Sequence, residues 1–181
     1  MWRARTAGSI AAMPELPDRD LAGVEPDAFR AALSTLPSGV VIVTTWLDGR
    51  PWGMTVSACC SISVEPPRVL VSLRQGSVTH DQVHEHGRLG INILGSDHKE
   101  VAELAARPGM PKFLDEHCVA DEDGVPRIDG ALCHLACRVD ESFPVGDHAL
   151  VIAAVEGLAG AIGSEPLVYF DRGYRRLGER L

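Results

Sequence analysis

The apolar runs of this chain are short, and most have the length of a β-strand. Four of them, rich in valine, isoleucine and leucine, occupy residues 39–45, 68–73, 89–94 and 149–155. A fifth segment, residues 133–140, alternates apolar with polar or small residues, which predicts a half-buried strand with Cys133 and Cys137 on its inner face. Because most connections are too short for parallel crossovers, we expect an antiparallel β-barrel with a few peripheral helices.

Turn-forming residues separate these strands. Asp48-Gly49 favours a hairpin whose second strand runs through residues 52–55. Pro66-Pro67 is expected to end the irregular strand that follows.

Three short helices are predicted around the strands. The first begins at Pro26, which suits the first position of a helix, and ends before the next proline. Its apolar face contains Phe29, Ala32, Leu33 and Leu36. Thr79 and Gln82 have capping-box spacing, which predicts a second helix that ends at the following glycine. Ser96 is expected to cap a third helix, which the next Pro-Gly pair breaks.

The first 24 residues differ from the rest of the chain. They contain two prolines, scattered charges and no hydrophobic periodicity, so residues 1–24 are expected to form a disordered N-terminal arm. Residues 25–181 have the length of a single domain with a sizeable core.

The composition argues against some classes of function. A formal net charge of −8 lacks the cationic excess that binding of nucleic acid requires. The apolar runs are far shorter than the ~20 residues of a membrane-spanning helix, and the first residues are too polar for a secretion signal. We therefore expect a reduced, cytoplasmic protein with no nucleic-acid and no membrane partner.

Two clusters of possible metal ligands have simpler explanations. His80, His84 and His86 lie close together, but a structural zinc site needs four placed ligands and no Cys-x-x-Cys pair is present. Cys59 and Cys60 are adjacent and so rarely form a disulfide. Buried thiols are the expected explanation for these cysteines and for those of the alternating strand, and no metal is expected.

Other familiar motifs are absent from the sequence. It has no Gly-x-Gly-x-x-Gly after a strand, no phosphate loop ending in Gly-Lys-Ser or Gly-Lys-Thr, and no Gly-x-Ser-x-Gly nucleophile elbow. A nucleotide would therefore have to be bound outside the Rossmann and P-loop architectures.

Two segments have the chemistry to hold a flat aromatic ligand. Residues 53–63 are mainly small and hydroxyl-bearing, so a planar ring could approach closely and find hydrogen bonds along its edge. An ordinary surface strand would explain the same composition.

Gly146-Asp147-His148 leads from a polar turn into an apolar strand, and a neutral imidazole there can both donate and accept a hydrogen bond. A structural turn histidine is the alternative.

The order and spacing of several motifs resemble one known family, the flavin reductases of the split-barrel flavin-binding fold. The resemblance covers about residues 29–177. The segments that carry it are residues 29–30, 38–45, 53–57, 65–67, 92–94, 112–113, 146–148 and 166–169, with Gly49 and Ser77. Gly146-Asp147-His148 points to the reductase branch of the family.

The resemblance implies a homodimer of antiparallel six-stranded split β-barrels. Such an enzyme uses NADH or NADPH to reduce FMN or FAD, and the reduced flavin diffuses to a partner oxygenase or halogenase. His148 is implied to be the catalytic residue, and we expect it to hold the nicotinamide end or to donate toward the flavin rather than to act as an essential acid. The implied cofactor-binding residues are Thr55, Val56, Ser57, Ala58, Ser72, Leu73, Ser77, Thr79, Asn92, Lys112, Phe113, Gly146, Asp147, His148, Arg172 and Tyr174.

The chain departs from the family pattern at two of the ring-binding positions. Ala58 stands where a second serine is common, and Cys59 where phenylalanine is common. The first change removes a hydroxyl and the second opens space, so the choice between FMN and FAD stays open, as does that between NADH and NADPH.

Two other functions are compatible with the same barrel. A non-catalytic flavin or haem carrier would share most of the motifs, since fold does not fix function. A flavin-dependent oxidase would need a further substrate pocket.

Overall fold

The computed structural model of the protein describes residues 23–119, 124–160 and 165–178. The expected N-terminal arm lies outside the described residues, apart from its last two positions. Three α-helices are present in this part of the chain: α1 (Pro26–Leu33), α2 (Val78–His86) and α3 (Lys99–Ala106). A 3₁₀ turn, Ser96–His98, precedes α3. No helix among these residues is both long enough and apolar enough to span a lipid bilayer.

Strands dominate the described residues. The first six are β1 (Ser38–Gly39), β2 (Val41–Leu47), β3 (Arg50–Val56), β4 (Cys59–Val64), β5 (Pro67–Arg74) and β6 (Arg88–Ile93). The next six are β7 (Cys118–Val119), β8 (Arg127–Ile128), β9 (Cys133–Val145), β10 (His148–Ala159), β11 (Val168–Phe170) and β12 (Gly173–Arg175).

Seven of these strands form one antiparallel sheet in the order β3-β2-β6-β9-β10-β5-β4. Its two edge strands, β3 and β4, are consecutive in the chain, with only Ser57 and Ala58 between them. The backbone N–H of Ser72 on β5 donates to the Ala58 carbonyl at 3.0 Å. The sheet therefore curves until its edges meet in one bent segment, and β3 with β4 completes the sixth strand of the expected barrel.

Two smaller sheets flank the barrel. One is antiparallel and contains β1, β11 and β12, in that order across the sheet. The other is the pair of β7 and β8. The predicted hairpin between β2 and β3 is confirmed, because Asp48 and Gly49 both have the positive φ angles, 52° and 73°, of a type I′ turn.

The hydrophobic core has two parts, on opposite faces of β2. Val41 and Val43 pack inside the barrel with Leu73, Leu89 and Ile91. The alternate residues of β2 face a second cluster beneath α3, which contains Ile42, Leu94, Val101, Ala105 and Leu114. The period of two residues in a strand thus explains why the uninterrupted apolar run of β2 is buried on both faces.

A polar network lies on the same face of the sheet as this second cluster. The Asn92 amide nitrogen donates to the Ile42 carbonyl and to Thr44 Oγ1, both at 3.1 Å. Its Oδ1 accepts from the Ile128 N–H and from His134 Nδ1, both at 2.9 Å. Asn92 is 0% exposed, so its four bonds join β2, β6, β8 and β9 without contact with solvent.

Three local expectations are corrected. Ser77 rather than Thr79 caps α2, because the Ser77 hydroxyl accepts from the His80 N–H at 3.2 Å. Ser96 begins the 3₁₀ turn and makes no side-chain cap for α3. β9 departs from a half-buried strand at its start, because His134 and Ala136, on the face opposite the cysteines, are 1% and 0% exposed, and His134 belongs to the polar network of Asn92.

The apolar face expected on α1 is present but uncovered. α1 has no buried residue, and Phe29 is 57% and Leu33 48% exposed. The helix ends at Leu33, so Leu36 lies in the following turn and is also exposed.

Candidate functional site

The turn between β9 and β10 is fixed against the end of β5. Gln75 Nε2 donates to the carbonyls of Gly146 (3.0 Å) and His148 (2.8 Å), and the Gln75 N–H donates to the Asp147 carbonyl (3.0 Å). His148 also pairs with Arg74 across the two strands. We call the group Arg74, Gln75, Ser77, Asp147 and His148 the rim site, because it lies where these strands end.

The N-terminus of α2 points its backbone toward the rim site. The first N–H groups of a helix have no partner within the helix. Ser77 satisfies that of His80 with its hydroxyl oxygen, and its own O–H donates to the Arg74 carbonyl at 2.7 Å. The N–H groups of Val78 and Thr79 make no hydrogen bond with the described residues, and the N-terminus of a helix is a favourable place for an anion.

One ring nitrogen of His148 is engaged in a hydrogen bond, and the other is available to a ligand. Its Nδ1 lies 2.7 Å from Asp147 Oδ1, and an ionised carboxylate can only accept a hydrogen bond. Nδ1 therefore carries a hydrogen, and in the neutral ring Nε2 is an acceptor. The same hydrogen bond, followed by the charge of the imidazole, lowers the pKa of Asp147.

An aromatic wall connects β3 to the first turn of α2. Trp52 Nε1 donates to Thr79 Oγ1 at 3.2 Å, and the Trp52 ring meets the Phe113 ring edge to face at 5.0 Å between centroids. Backbone bonds hold the segment around Phe113 to β3, including the bond from the Gly53 N–H to the Lys112 carbonyl at 3.1 Å. Lys112 is partly buried, and burial lowers its pKa.

Arg50 contacts this wall through Asp115 and the ring of Phe113. Its guanidinium donates twice to Asp115, at 3.1 and 2.7 Å, and its Cζ lies 3.9 Å from the centroid of the Phe113 ring. These contacts fix the position of residues 112–115 relative to β3.

The bent segment between β3 and β4 supplies the small side chains expected for ring binding. Ser57 and Ala58 are exposed, and Val56 is partly buried against the barrel core. Ser72 is bound to Ala58 through the backbone, as described above. The Thr55 hydroxyl donates to the Ala102 carbonyl of α3 at 2.7 Å, so its hydrogen is already used.

Arg172 and Tyr174 lie in another region, the β11–β12 hairpin. Tyr174 packs against the core beneath α3 and makes an edge-on contact with Tyr169, at 5.4 Å between ring centroids. Within the described residues, no hydrogen bond, ion pair or ring contact joins this hairpin to His148. Arg172 and Tyr174 are thus separate from the rim site in this structure.

Three of the implied binding residues have buried side chains. Asn92 is 0% exposed and all four of its hydrogen bonds are internal, so its side chain is engaged by the protein and its assignment to cofactor binding stays a prediction. Leu73 is also 0% exposed, within the barrel core. Thr79 is 2% exposed, and its hydroxyl serves Trp52, so only its backbone faces the rim site.

The cysteines depart in part from the buried environment expected of them. All five are free thiols. Cys137 is buried, and burial raises its pKa to about 12, but Cys60 is exposed. Cys59 is partly buried, and its pKa is raised to about 11 by burial and by the neighbouring Cys60.

His80 and His84 share a helix face, as expected, with parallel rings whose centroids are 6.5 Å apart.

Several residues of the site could not be found by sequence reasoning. Gln75 sits in a Gln-Gly turn that gives no hint of its three bonds to the β9–β10 turn. Arg50 and Asp115 are 65 positions apart, so no local pattern relates them. Trp52 lies in a predicted strand, where its alternation with Met54 could have marked it as inward-facing.

The described residues fit the group that the resemblance implies, a flavin nucleotide. The N-terminus of α2, which Ser77 caps, suits a phosphate through its first N–H groups. Exposed small residues at Ser57 and Ala58 leave room for a planar ring beside the rim site.

Comparison with known proteins agrees with this geometry. The model of the family "Flavin reductase like domain" matches residues 33–178. The reductase component of a 4-nitrophenol 4-monooxygenase/4-nitrocatechol 2-monooxygenase from Rhodococcus opacus is 40% identical over 143 residues, which span 78% of this chain and 76% of that protein. An NADH-dependent flavin reductase from a Rhodococcus species is 38% identical over 161 residues, spanning 85% and 88%.

A solved structure is similar over most of the chain. It is the NADH:FAD oxidoreductase SgcE6 of Streptomyces globisporus in complex with NAD and FAD fragments, with a TM-score of 0.79 and 26% identity. The similarity covers 86% of this chain and 96% of that one.

Proposed function

The chain belongs to the family of flavin reductase-like domains, and on that basis we propose that it uses NADH or NADPH to reduce free FMN or FAD. The reduced flavin then serves a partner monooxygenase or halogenase, in keeping with the relative named as a monooxygenase reductase component. The functional unit is the domain of residues 25–181.

The observation that carries the proposal is the fixed position of His148 at the rim site. Three hydrogen bonds from Gln75 hold the turn that bears His148 beside Arg74 and the N-terminus of α2. The His148 side chain is 43% exposed and lies close to the N-terminus of a helix, where an anion binds favourably. A histidine with only a structural role would not require this exposure. This arrangement supports a site that holds a nucleotide phosphate and a second ligand together.

The residues of the chain bind and orient, and the bound groups supply the redox chemistry. When bound, the flavin accepts a hydride that the reduced nicotinamide provides. Arg74 and the free N–H groups of α2 would hold the flavin phosphate, and Ser77 keeps the start of that helix in place. Ser57 and Ala58 would lie along the flavin ring, and the wall of Trp52 and Phe113 would limit its movement.

His148 positions the nicotinamide end through Nε2. Because Nδ1–H is committed to Asp147, the neutral ring offers Nε2 as an acceptor, which suits the N–H of a carboxamide. His148 therefore acts by orientation, and the proposal needs no proton transfer from its ring.

The protein is further proposed to be a homodimer in the cytoplasm. The uncovered apolar residues of α1 and the exposed Phe170 of the adjoining β11 support an interface between two copies. Five free thiols suit a reducing compartment. Sedimentation equilibrium should give twice the mass of the chain, and a single-chain mass would exclude the dimer.

A matrix of steady-state assays tests the function. NADH and NADPH are each crossed with FMN, FAD and riboflavin, and oxidation of the nicotinamide is followed. A reductase releases flavin during gel filtration and needs it added for turnover. A carrier would stay yellow through the column and would oxidise neither nucleotide.

Replacement of His148 tests the role of the rim site. His148→Ala should lower kcat/KM for NADH about tenfold, mainly through KM, because one hydrogen bond that orients the ring is lost. His84→Ala, an exposed histidine on α2, is the matched control and should retain the value of the unmodified protein. An unchanged NADH dependence in His148→Ala would remove this role.

A further inference from the structure

Trp52 lies between two parts of the protein that are proposed to hold the flavin. On one side its Nε1 donates to Thr79 Oγ1 in the first turn of α2, at 3.2 Å. On the other side its ring meets that of Phe113 edge to face. Trp52 is only 7% exposed, so it offers almost no surface to a ligand and can act on one only through these two neighbours.

The helix α2 is attached to the barrel at three levels. Val83, in its second turn, is buried in the barrel core. At its end, His86 Nε2 donates to the Trp46 carbonyl of β2 at 3.1 Å. At its start, the bond from Trp52 to Thr79 joins the first turn to β3. Loss of the Trp52 bond should therefore loosen the first turn while the rest of the helix stays packed.

The first turn of α2 is the part of the helix whose position matters to a phosphate. The N–H groups of Val78 and Thr79 make no hydrogen bond with the described residues, and a hydrogen bond to an anion weakens steeply when the donor is misaligned. Ser77 attaches this turn to the end of β5 through the Arg74 carbonyl. Trp52 attaches it to β3, which fixes the turn from a second direction.

The aromatic wall is attached to the same strand. Trp52 and Phe113 face each other in an antiparallel bridge, and the neighbouring Leu114 N–H donates to the Pro51 carbonyl at 2.9 Å. A Cβ on Gly53 would collide with the Leu114 side chain, so the two segments are in close contact. The Phe113 ring therefore has a fixed position relative to the Trp52 ring.

We propose that Trp52 is a positioning residue for the flavin, which sets the first turn of α2 through its N–H and the ring of Phe113 through its own ring. This role rests on the proposed function, which places the flavin phosphate at the start of α2 and the flavin ring beside the wall. The two contacts of Trp52 then act on different parts of one ligand. Loss of the N–H alone should weaken the binding of FMN and spare riboflavin, which has no phosphate.

Binding of FMN and riboflavin, followed by the change in flavin fluorescence, tests this difference. The unmodified protein should bind FMN more tightly than riboflavin, because only FMN can bond the first turn of α2 as an anion. Trp52→Phe keeps an aromatic ring and removes the N–H, so it should weaken FMN binding about fivefold and riboflavin binding less than about twofold.

Trp46→Phe is the matched control. Its indole N–H donates to the Gly124 carbonyl at 2.9 Å, and its ring makes no contact with Thr79 or Phe113 among the described residues. The substitution is chemically the same as Trp52→Phe, and both flavin affinities should stay unchanged.

Thr79 tests the same bond from the acceptor side, in case Trp52→Phe disturbs the packing of the barrel. Thr79→Val removes the acceptor with little change of shape, and it should weaken FMN binding about fivefold. Thr79→Ser keeps a hydroxyl and should restore most of this loss. The double variant Trp52→Phe/Thr79→Val should bind FMN no more weakly than the weaker single variant, because both changes remove one bond.

Steady-state kinetics separates positioning from a loss of folded protein. In Trp52→Phe the KM for FMN should rise about fivefold while the KM for NADH stays unchanged. A purely structural role would lower the active fraction, and with it kcat, without a change in either KM.

The outcomes separate this role from the proposed function. Equal losses of FMN and riboflavin binding in Trp52→Phe would overturn the positioning role, as would additive losses in the double variant. An unmodified protein that binds FMN no more tightly than riboflavin would overturn it too. If flavin binds as expected but neither NADH nor NADPH is oxidised, the proposed function fails alone, because the titration measures binding without turnover.

Discussion

Asn92 and His148 show how differently the barrel interior and its rim use polar residues. Asn92 is 0% exposed, and its side-chain amide makes four hydrogen bonds to three neighbouring strands of the protein. His148 has a backbone held as firmly, through Gln75, yet its side chain is 43% exposed and one ring nitrogen is free in the neutral form. Polar groups in the interior therefore stabilise the fold, whereas those at the rim are held in place but left available to a ligand.

The largest effect is expected at Asn92. Asn92→Ala leaves the Ile128 N–H, the Ile42 carbonyl and His134 Nδ1 without this partner in a buried site, which should cost about 3 kcal/mol of the free energy of unfolding. Urea unfolding monitored by circular dichroism measures the loss.

The folded fraction of Asn92→Ala should keep flavin reductase activity per molecule, because the Asn92 side chain is enclosed by protein. A stable Asn92→Ala protein that lacks activity would place Asn92 in the site after all.

A smaller loss is expected at Gly146, in the rim. Its φ angle is 58°, a left-handed conformation that costs an alanine about 1 kcal/mol. Its side-chain position is open, so Gly146→Ala meets no steric conflict. The melting temperature should fall slightly, and a loss as large as that of Asn92→Ala would contradict the distinction between interior and rim.

Gln75 tests whether the rim depends on a held backbone. Gln75→Ala removes the two side-chain bonds to the β9–β10 turn, so His148 should be less well positioned and the KM for NADH should rise about threefold. The free energy of unfolding should change by less than about 1 kcal/mol because the side chain is exposed. Gln82→Ala, on the second turn of α2, serves as the control.

The thiols give the least perturbing test, because no residue is changed. Burial raises the pKa of Cys59 to about 11 and that of Cys118 and Cys137 to about 12. At pH 8 the thiolate fraction of Cys59 is then about one in a thousand, whereas Cys60 is exposed. Iodoacetamide followed by peptide mass spectrometry should modify Cys60 first, and labelling of Cys59 should accelerate as the pH rises toward 11. Equal labelling of Cys59 and Cys60 at pH 8 would contradict the partial burial of Cys59 on β4.

The fold was largely predictable because period and turn chemistry are local signals. The Asp48-Gly49 hairpin, the strand-length apolar runs and the glycine that ends α2 all appear where the pattern indicated. The start of α2 was misplaced because Ser77 and Thr79 are both good caps, and only the burial of Thr79 beneath Trp52 decides between them.

The site was less predictable because its geometry depends on distant contacts. Ser57, Ala58 and His148 could be singled out by composition and motif, since small residues and a turn histidine are visible in sequence. Nothing local indicates that Asn92 is enclosed by β8, or that Gln75 holds the turn of His148. A solvent-exposed groove between α3 and the β11–β12 hairpin likewise contains both Arg107 and Arg172, which are 65 positions apart in the sequence.

The central claim is that the flavin and nicotinamide rings meet at the rim of the barrel. A crystal structure of the protein soaked with FAD and NAD⁺ tests it most directly. We expect a flavin ring along Ser57 and Ala58, its phosphate at the N-terminus of α2, and the nicotinamide within hydrogen-bonding reach of His148. Density for either ring elsewhere in the molecule, with the rim site empty, would contradict it.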